Sequence, residues 1–331
     1  MIETKKDILD ILRMPEDIFY RDIVPEARKT YEIAFGKTLR VTSMMGYSNI
    51  CKNMCLYCGM RAANTTVKRF RTPPEEVIST VLSAADNGYG RIFLISGEDP
   101  LYGFDNLLAI VRTLKKRGMF VSLACGEFSE EQFMALKDVG TDEYVIKFEM
   151  STPENFNRLN PSTSFERRMK SIEIVKNSGM RLASGNIVDW PGQTETELAE
   201  DILLMKKLDI SWAPIIPYLP AANTPLAAEG KRGDLLKIYK EITILRLMMP
   251  KVHITAQQPG VDMKKGLSDP ESNLAAVNAG ADVLFFDLLS EAQAQNFRVI
   301  DDRNICGPEH IFKIAELSGY KLDTASGLVA G

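Results

Sequence analysis

The sequence has no apolar run long enough to cross a membrane. Its most hydrophobic stretches, Trp212 to Ala222 with its prolines and Leu247 to Pro250, fall far short of the ~20 residues a spanning helix needs. It has no basic surplus either. A net charge of -4 and a pI near 5.5 argue against a nucleic-acid backbone or an anionic membrane surface as partner and leave a small-molecule substrate as the expectation. Histidine is scarce, with only His253 and His310, which leaves few ligands for a nitrogen-based metal site. A disulfide framework is absent: of five cysteines, three fall between positions 51 and 58, while Cys125 and Cys306 stand alone. The opening Met1 to Asp7 lacks the apolar core of a signal peptide, so a cytoplasmic location is expected.

What is present is an alternation. From about residue 39, short β-rich runs alternate with longer amphipathic stretches, the pattern of repeated strand-helix units around a parallel sheet. Eight strands are expected, at 39–47, 91–96, 120–124, 143–149, 181–188, 211–216, 253–256 and 282–287, with helices in the gaps. Glycines such as Gly118 and Gly140 punctuate helix from strand. The count predicts an α/β fold, a closed (β/α)8 TIM-type barrel over residues 39–290. Residues 1–38 read as an N-terminal helical extension and 291–331 as a short C-terminal extension, both packed on the barrel.

The chemistry is concentrated after the first strand, where Cys51-Lys52-Asn53-Met54-Cys55-Leu56-Tyr57-Cys58 gives the spacing C-x3-C-x2-C. Three close thiolates without a fourth can hold three irons of a 4Fe-4S cube and leave one iron open to an exogenous ligand. Structural zinc is normally closed by four ligands, and both histidines lie far along the chain. Loops after strands lie at the functional end of such barrels. Two carboxylates end strands there, in Ser96-Gly97-Glu98-Asp99-Pro100 and at Glu149 of the largely apolar run 144–149, where a carboxylate needs a partner. Arg168 offers a planar fork that suits a carboxylate ligand, and Pro217-Tyr218-Leu219-Pro220 offers a rigid aromatic lip.

The cysteine loop, with an aromatic immediately before its last cysteine, resembles the signature of the radical S-adenosylmethionine (SAM) superfamily. That resemblance implies one 4Fe-4S cluster on Cys51, Cys55 and Cys58 whose open iron chelates SAM, an electron donor such as flavodoxin or ferredoxin, and reductive cleavage of SAM to a 5'-deoxyadenosyl radical. It also implies a SAM pocket made by Tyr57, Gly97, Glu98, Asp99, Glu149, Arg168, Tyr218 and Leu219. Cys51 to Arg61, Lys68 to Arg71, Ser96 to Pro100, Thr163 to Arg168, Pro191 to Thr194 and Thr224 to Leu226 together resemble the biotin synthase-like group. Within that group they are most similar to the HydE-type maturases of FeFe-hydrogenase and also similar to methylornithine synthases. The first likeness implies an amino-acid-linked iron complex as substrate and other maturases as partners; the second implies a mutase on a free amino acid. A non-catalytic carrier of an iron complex is the reading from another class.

Departures bear on the substrate. Lys147-Phe148-Glu149 stands where the maturases have a basic residue, His and Glu, and Thr255-Ala256-Gln257-Gln258 stands where they have a Thr pair. Neither the Ser nor the Asp expected of a methylornithine synthase falls among residues 254–259. Cys125 alone cannot supply the second cluster that sulfur insertion needs, and a lone Cys306 excludes a cysteine triplet for an accessory cluster. Both are expected to be buried thiols. Ser122, Lys147, Asn186, Thr255 and Gln257, near strand ends, are the candidate substrate contacts.

Overall fold

The chain folds around eleven strands: β1 Thr38–Ser48, β2 Arg91–Ser96, β3 Phe120–Ala124, β4 Glu143–Val145, β5 Arg181–Ala183, β6 Ile187–Val188, β7 Trp212–Ala213, β8 Ile216–Pro217, β9 His253–Ile254, β10 Val283–Asp287 and β11 Lys321–Asp323. The structure is a computed structural model, and it describes residues 2–301, 303, 304 and 307–325. Cys306, expected as a buried thiol, lies outside the described residues.

Eight strands pair in parallel in the order β10-β1-β2-β3-β4-β5-β7-β9, while β11 pairs with the first residues of β1 and β6 pairs with β8 in a small second sheet. Side chains that alternate onto the concave face (Met44, Phe93, Val145, Ala183, Trp212, Val283 and Phe285) form one apolar layer, with Trp212 meeting Phe93 edge-on at 5.2 Å. The convex face joins the flanking helices in the main core, where each fully buried Leu, Ile or Phe contributes about 1.5–3 kcal/mol.

The expected closed barrel is corrected. The strands form an open eight-stranded parallel half-barrel, with no ladder joining β9 to β10. The seam carries only the isolated bridge Thr255–Val283, with Asp282 N donating to Ile254 O at 3.0 Å and Ala256 N to Val283 O at 2.9 Å. The cause lies in the side chains that follow. Gln257 turns its amide onto the edge of β10, donating to Phe285 O at 2.5 Å and accepting from Phe285 N at 2.7 Å. An amide side chain thus takes the place that a strand backbone would have.

The expected strands 143–149 and 181–188 are also interrupted, for a similar reason. Ser184 Oγ donates to Ile146 O at 2.7 Å and accepts from Phe148 N at 3.3 Å, so a hydroxyl replaces the ladder between them. Pairing resumes as a single bridge between Glu149 and Asn186. The helix Pro153–Leu159 and strand β11 were not anticipated, and within the N-terminal helical extension a wide turn at Phe19–Ile23 precedes the helix Val24–Phe35. Among the described residues no helix is long and apolar enough to cross a membrane.

Candidate active site

The cysteine loop leaves β1 at the C-terminal end of the sheet and is pinned from several sides. Lys52 N donates to Glu98 O at 3.0 Å, Leu56 N to Leu159 O at 2.8 Å, Gly59 N to Val299 O at 3.0 Å and Met54 N to Ser162 Oγ at 2.8 Å. Arg69 closes it from within. Its Nη1 donates to the carbonyls of Asn49 and Met60 at 2.6 and 2.8 Å, and its Nη2 to those of Arg61 and Asn64 at 2.7 and 3.1 Å. A guanidinium suits this task because its donors are fixed in one plane.

Gly97 lets the end of β2 touch this loop. A methyl group there would lie 2.3 Å from Ile50 O and 2.8 Å from Cys51 Cβ, closer than any real contact allows. Gly126, at φ +94°, does the same for Glu98, whose Cγ would meet an added Cβ at 1.9 Å.

Cys51, Cys55 and Cys58 are partly buried free thiols. Burial, then the neighbouring Cys51, pushes Cys55 up to about 12. Cys58 is raised by burial and by Cys55, and Cys51 is raised chiefly by burial. Thiols held this close resist ionisation until positive charge arrives. Among the described residues no three His, Cys, Asp or Glu side chains converge on a single metal ion. A cube makes a different demand, since each of its cysteines takes a separate iron.

Polar groups ring the thiols. Glu98 lies 3.3 Å from Lys52 Nζ and accepts from Glu127 N at 3.3 Å. Glu149 sits at φ +60°, unusual for a residue with a Cβ, and its buried Oε2 receives no aligned hydrogen bond, with Lys147 Nζ at 3.2 Å. Its charge raises both Tyr57, after the larger effect of burial, and Cys58. Arg168, on the helix Phe165–Asn177 capped by Ser164, donates through Nε to Glu127 Oε1 at 2.7 Å and through Nη1 to Lys147 O. Against its burial, Glu127 keeps that guanidinium firmly charged. Tyr57 donates to Asn160 Oδ1 at 2.7 Å, and Tyr218 packs with Leu56 and Tyr57 while its own hydroxyl has no partner. Leu219 is buried beside it.

Other expected contacts are engaged elsewhere. Asp99 holds Arg71 through two bonds of 2.6 and 2.7 Å and accepts from Ser48 Oγ, so its carboxylate fastens the β2 turn. Ser122 lies toward the opposite end of the sheet and donates to Glu143 Oε1 at 3.0 Å. Thr255 accepts from Trp212 Nε1 at 3.0 Å, Gln257 serves the seam, and Asn186 reaches Asp201 on the helix Glu195–Leu208 at 3.2 Å. Cys125 is buried and takes a hydrogen bond from Tyr47 at 3.0 Å. Sequence reasoning missed Glu127, which gathers Arg167, Arg168 and Thr163. Its position just past the end of β3 was the available signal.

Comparison with known proteins shows the family. The Radical SAM superfamily profile matches residues 45–205, from β1 through the cysteine loop to the helix Glu195–Leu208. The FeFe-hydrogenase maturase subunit HydE of Thermotoga maritima is 34% identical over 269 residues, covering 76% of each chain. The chain belongs to the radical SAM superfamily. A 3-methylornithine synthase of Methanosarcina acetivorans is 25% identical over 272 residues, 81% of this chain and 75% of that protein. The crystal structure of methylornithine synthase (PylB) superposes with a TM-score of 0.85 at 22% identity, covering 98% of this chain and 95% of the other, which is a likeness of fold.

Radical SAM enzymes typically carry a 4Fe-4S cluster and SAM, and the residues present fit both. The three thiols share one pinned loop, the glycine cradle at Gly97 keeps a side chain out of it, and Glu149 Oε2 and the Tyr218 hydroxyl, neither of them hydrogen-bonded among the described residues, lie beside it.

Proposed function

We propose that the protein cleaves SAM reductively at a 4Fe-4S cluster held by Cys51, Cys55 and Cys58, and that it does so as a HydE-type enzyme in FeFe-hydrogenase cofactor maturation. The observation that carries the chemistry is the pinned three-cysteine loop seated on Gly97 beside Glu98, Glu149 and Arg168. The 34% identity to a HydE over most of both chains supports the choice of subfamily. When bound, the cluster supplies the electron that breaks the S–C5' bond of SAM and so makes a 5'-deoxyadenosyl radical.

The chain's own residues bind and orient. Glu98 presents a carboxylate to the ammonium group of SAM, and Arg168, held through Nε and Nη1, turns Nη2, which has no acceptor among the described residues, to its carboxylate. Glu149 offers its Oε2, which accepts no aligned hydrogen bond, to the hydroxyls of the nucleoside, and Tyr218 and Leu219 form an apolar wall. Lys147 provides a cation for the carboxylate of an amino-acid-linked iron complex. The electron comes from a flavodoxin or ferredoxin.

The test is 5'-deoxyadenosine formation by anaerobically reconstituted, reduced protein given SAM. Production in the wild type that disappears in Cys55→Ala supports the chemistry. Production enhanced by free amino acids, and not by a cysteine-linked iron complex, overturns the maturase assignment. Binding of about four irons per chain with no SAM cleavage under any substrate leaves a carrier and overturns the enzyme reading.

A further inference from the structure

An acid without hydrogen-bond partners is buried behind the site. Glu241, on the helix Leu235–Met248, is fully buried, and neither of its carboxyl oxygens has a hydrogen-bond partner among the described residues. Beside it, the fully buried Asn186 leaves its Oδ1 unpartnered. An ionised carboxylate in such a place would lack both solvent and a direct ion-pair partner among the described residues. Burial, reinforced by Asp201, raises Glu241 well above the usual carboxylate range, while the Asn186 amide and the charge of Lys147 oppose that rise. A neutral acid resolves the anomaly. A proton on Glu241 turns one of its orphaned oxygens into a donor, for which the neighbouring unpartnered Asn186 Oδ1 is an acceptor.

The amide then has one orientation. Asn186 Nδ2 donates to Asp201 Oδ2 at 3.2 Å, and Asp201 is itself fixed by Gln193 Nε2 at 2.9 Å and Ser151 N at 2.8 Å. Asn186 is the residue paired with Glu149. The bridge is made by Glu149 N donating to Gly185 O and Ile187 N donating to Glu149 O, both at 3.0 Å. Those two bonds are what hold Glu149 at its positive φ.

We propose that Glu241 is a positioning residue which, through the chain Glu241–Asn186–Asp201, fixes the backbone of Glu149 and so the aim of its carboxylate in the SAM site. The proposal rests on the reading of Glu149 as a SAM contact. It requires that a neutral hydrogen-bond donor at position 241 suffices. Glu241→Gln retains such a donor at the same reach, and Glu241→Leu removes it while keeping the volume.

The experiment is SAM binding and steady-state SAM cleavage by reconstituted protein, with iron content and thermal midpoint measured for each variant. Glu241→Leu is expected to raise the KM for SAM roughly tenfold or more, with kcat at saturating SAM changed less and iron content unchanged. Glu241→Gln is expected to restore wild-type behaviour. Asn186→Ala removes the acceptor from the other side, should reproduce the Leu phenotype, and keeps the test open if Glu241→Leu fails to fold. Wild-type SAM affinity in Glu241→Leu and Asn186→Ala overturns the proposal, as does equal damage in Glu241→Leu and Glu241→Gln, because that would mean a charge is required. Glu149→Gln separates the two levels: if it leaves SAM affinity intact, the reading of the site fails, whereas if it weakens affinity and Glu241→Leu does not, only the positioning role fails.

Discussion

The two ends of the half-barrel treat polar groups in opposite ways. At the N-terminal ends of the strands nearly every buried charge has a partner: Arg246 donates to Gly280 O, Pro250 O and Asp282 Oδ1 at 2.7–2.8 Å, and lies over the rings of Tyr31 and Phe35. Asp282 also meets His253 Nδ1 at 2.5 Å, and Glu143 takes hydrogen bonds from Ser122 and Ser211. Although burial pushes Asp282 up, His253, Arg246 and the Ile254 N–H together hold it below the usual range. At the C-terminal ends the bookkeeping is left open, with Glu149 Oε2 and the hydroxyls of Tyr218, Ser151 and Tyr102 all buried without hydrogen-bond partners. A closed polar network serves stability, whereas an open one is costly until a ligand completes it. The difference assigns the floor to folding and the mouth to function.

The strongest way to sharpen that contrast is to break the floor. Arg246→Met leaves Asp282 buried beside an apolar chain, and the expected loss in urea unfolding is about 3–5 kcal/mol. The sharper half of the prediction concerns function: SAM cleavage per folded, iron-loaded molecule should not change, because no floor residue reaches the cysteine loop. A fall in kcat without a fall in stability would dissolve the division.

The mouth should respond in the reverse sense. Glu149→Gln removes a charge that no aligned protein donor satisfies, so stability should shift little while SAM binding weakens by about 1.5–3 kcal/mol, roughly ten- to a hundredfold. Isothermal titration of SAM into reconstituted protein reads it. The seam falls between the two extremes. Gln257→Leu strips two hydrogen bonds from the buried edge at Phe285, for an expected cost of about 1–3 kcal/mol in urea unfolding.

The cysteine spacing, the strand-end Gly97 and Glu98, and the strands at Arg91–Ser96 and Phe120–Ala124 were legible in the sequence, since spacing and alternation are local properties. What escaped depends on side chains acting as backbone. Ser184 and Gln257 each intercept a ladder with a hydroxyl or amide, which alternation cannot foresee, and so the two expected strands 143–149 and 181–188 became the three short strands β4, β5 and β6 and the barrel stayed open. Asp99 and Ser122 had the right chemistry at plausible positions, yet register and height in the sheet gave them to Arg71 and Glu143. Glu127 was missed because a carboxylate one turn beyond a strand looks solvated until the two arginines that fold onto it are known.

Asp201 gives the subtlest test, because it lies just behind the mouth yet belongs to the folded network. Burial raises it to about 7, against the donors Ser151 and Asn186. An acid whose folded pKa exceeds its unfolded one has no penalty below the unfolded value, near 4. As pH climbs from there, the unfolded chain releases its proton first, so stability falls by up to about 1.4 kcal/mol per pH unit and levels off above the folded value. Glu241, raised in the same direction, adds a contribution of the same sign. Asp201→Asn should therefore flatten, without abolishing, the decline in unfolding free energy between about pH 5 and 7, read by urea denaturation at several pH values. An unchanged slope would mean that Asp201 is ionised throughout. Its three hydrogen bonds from Ser151 N, Gln193 and Asn186 would then compensate fully for burial, and the network around Asp201 would be as closed as the floor.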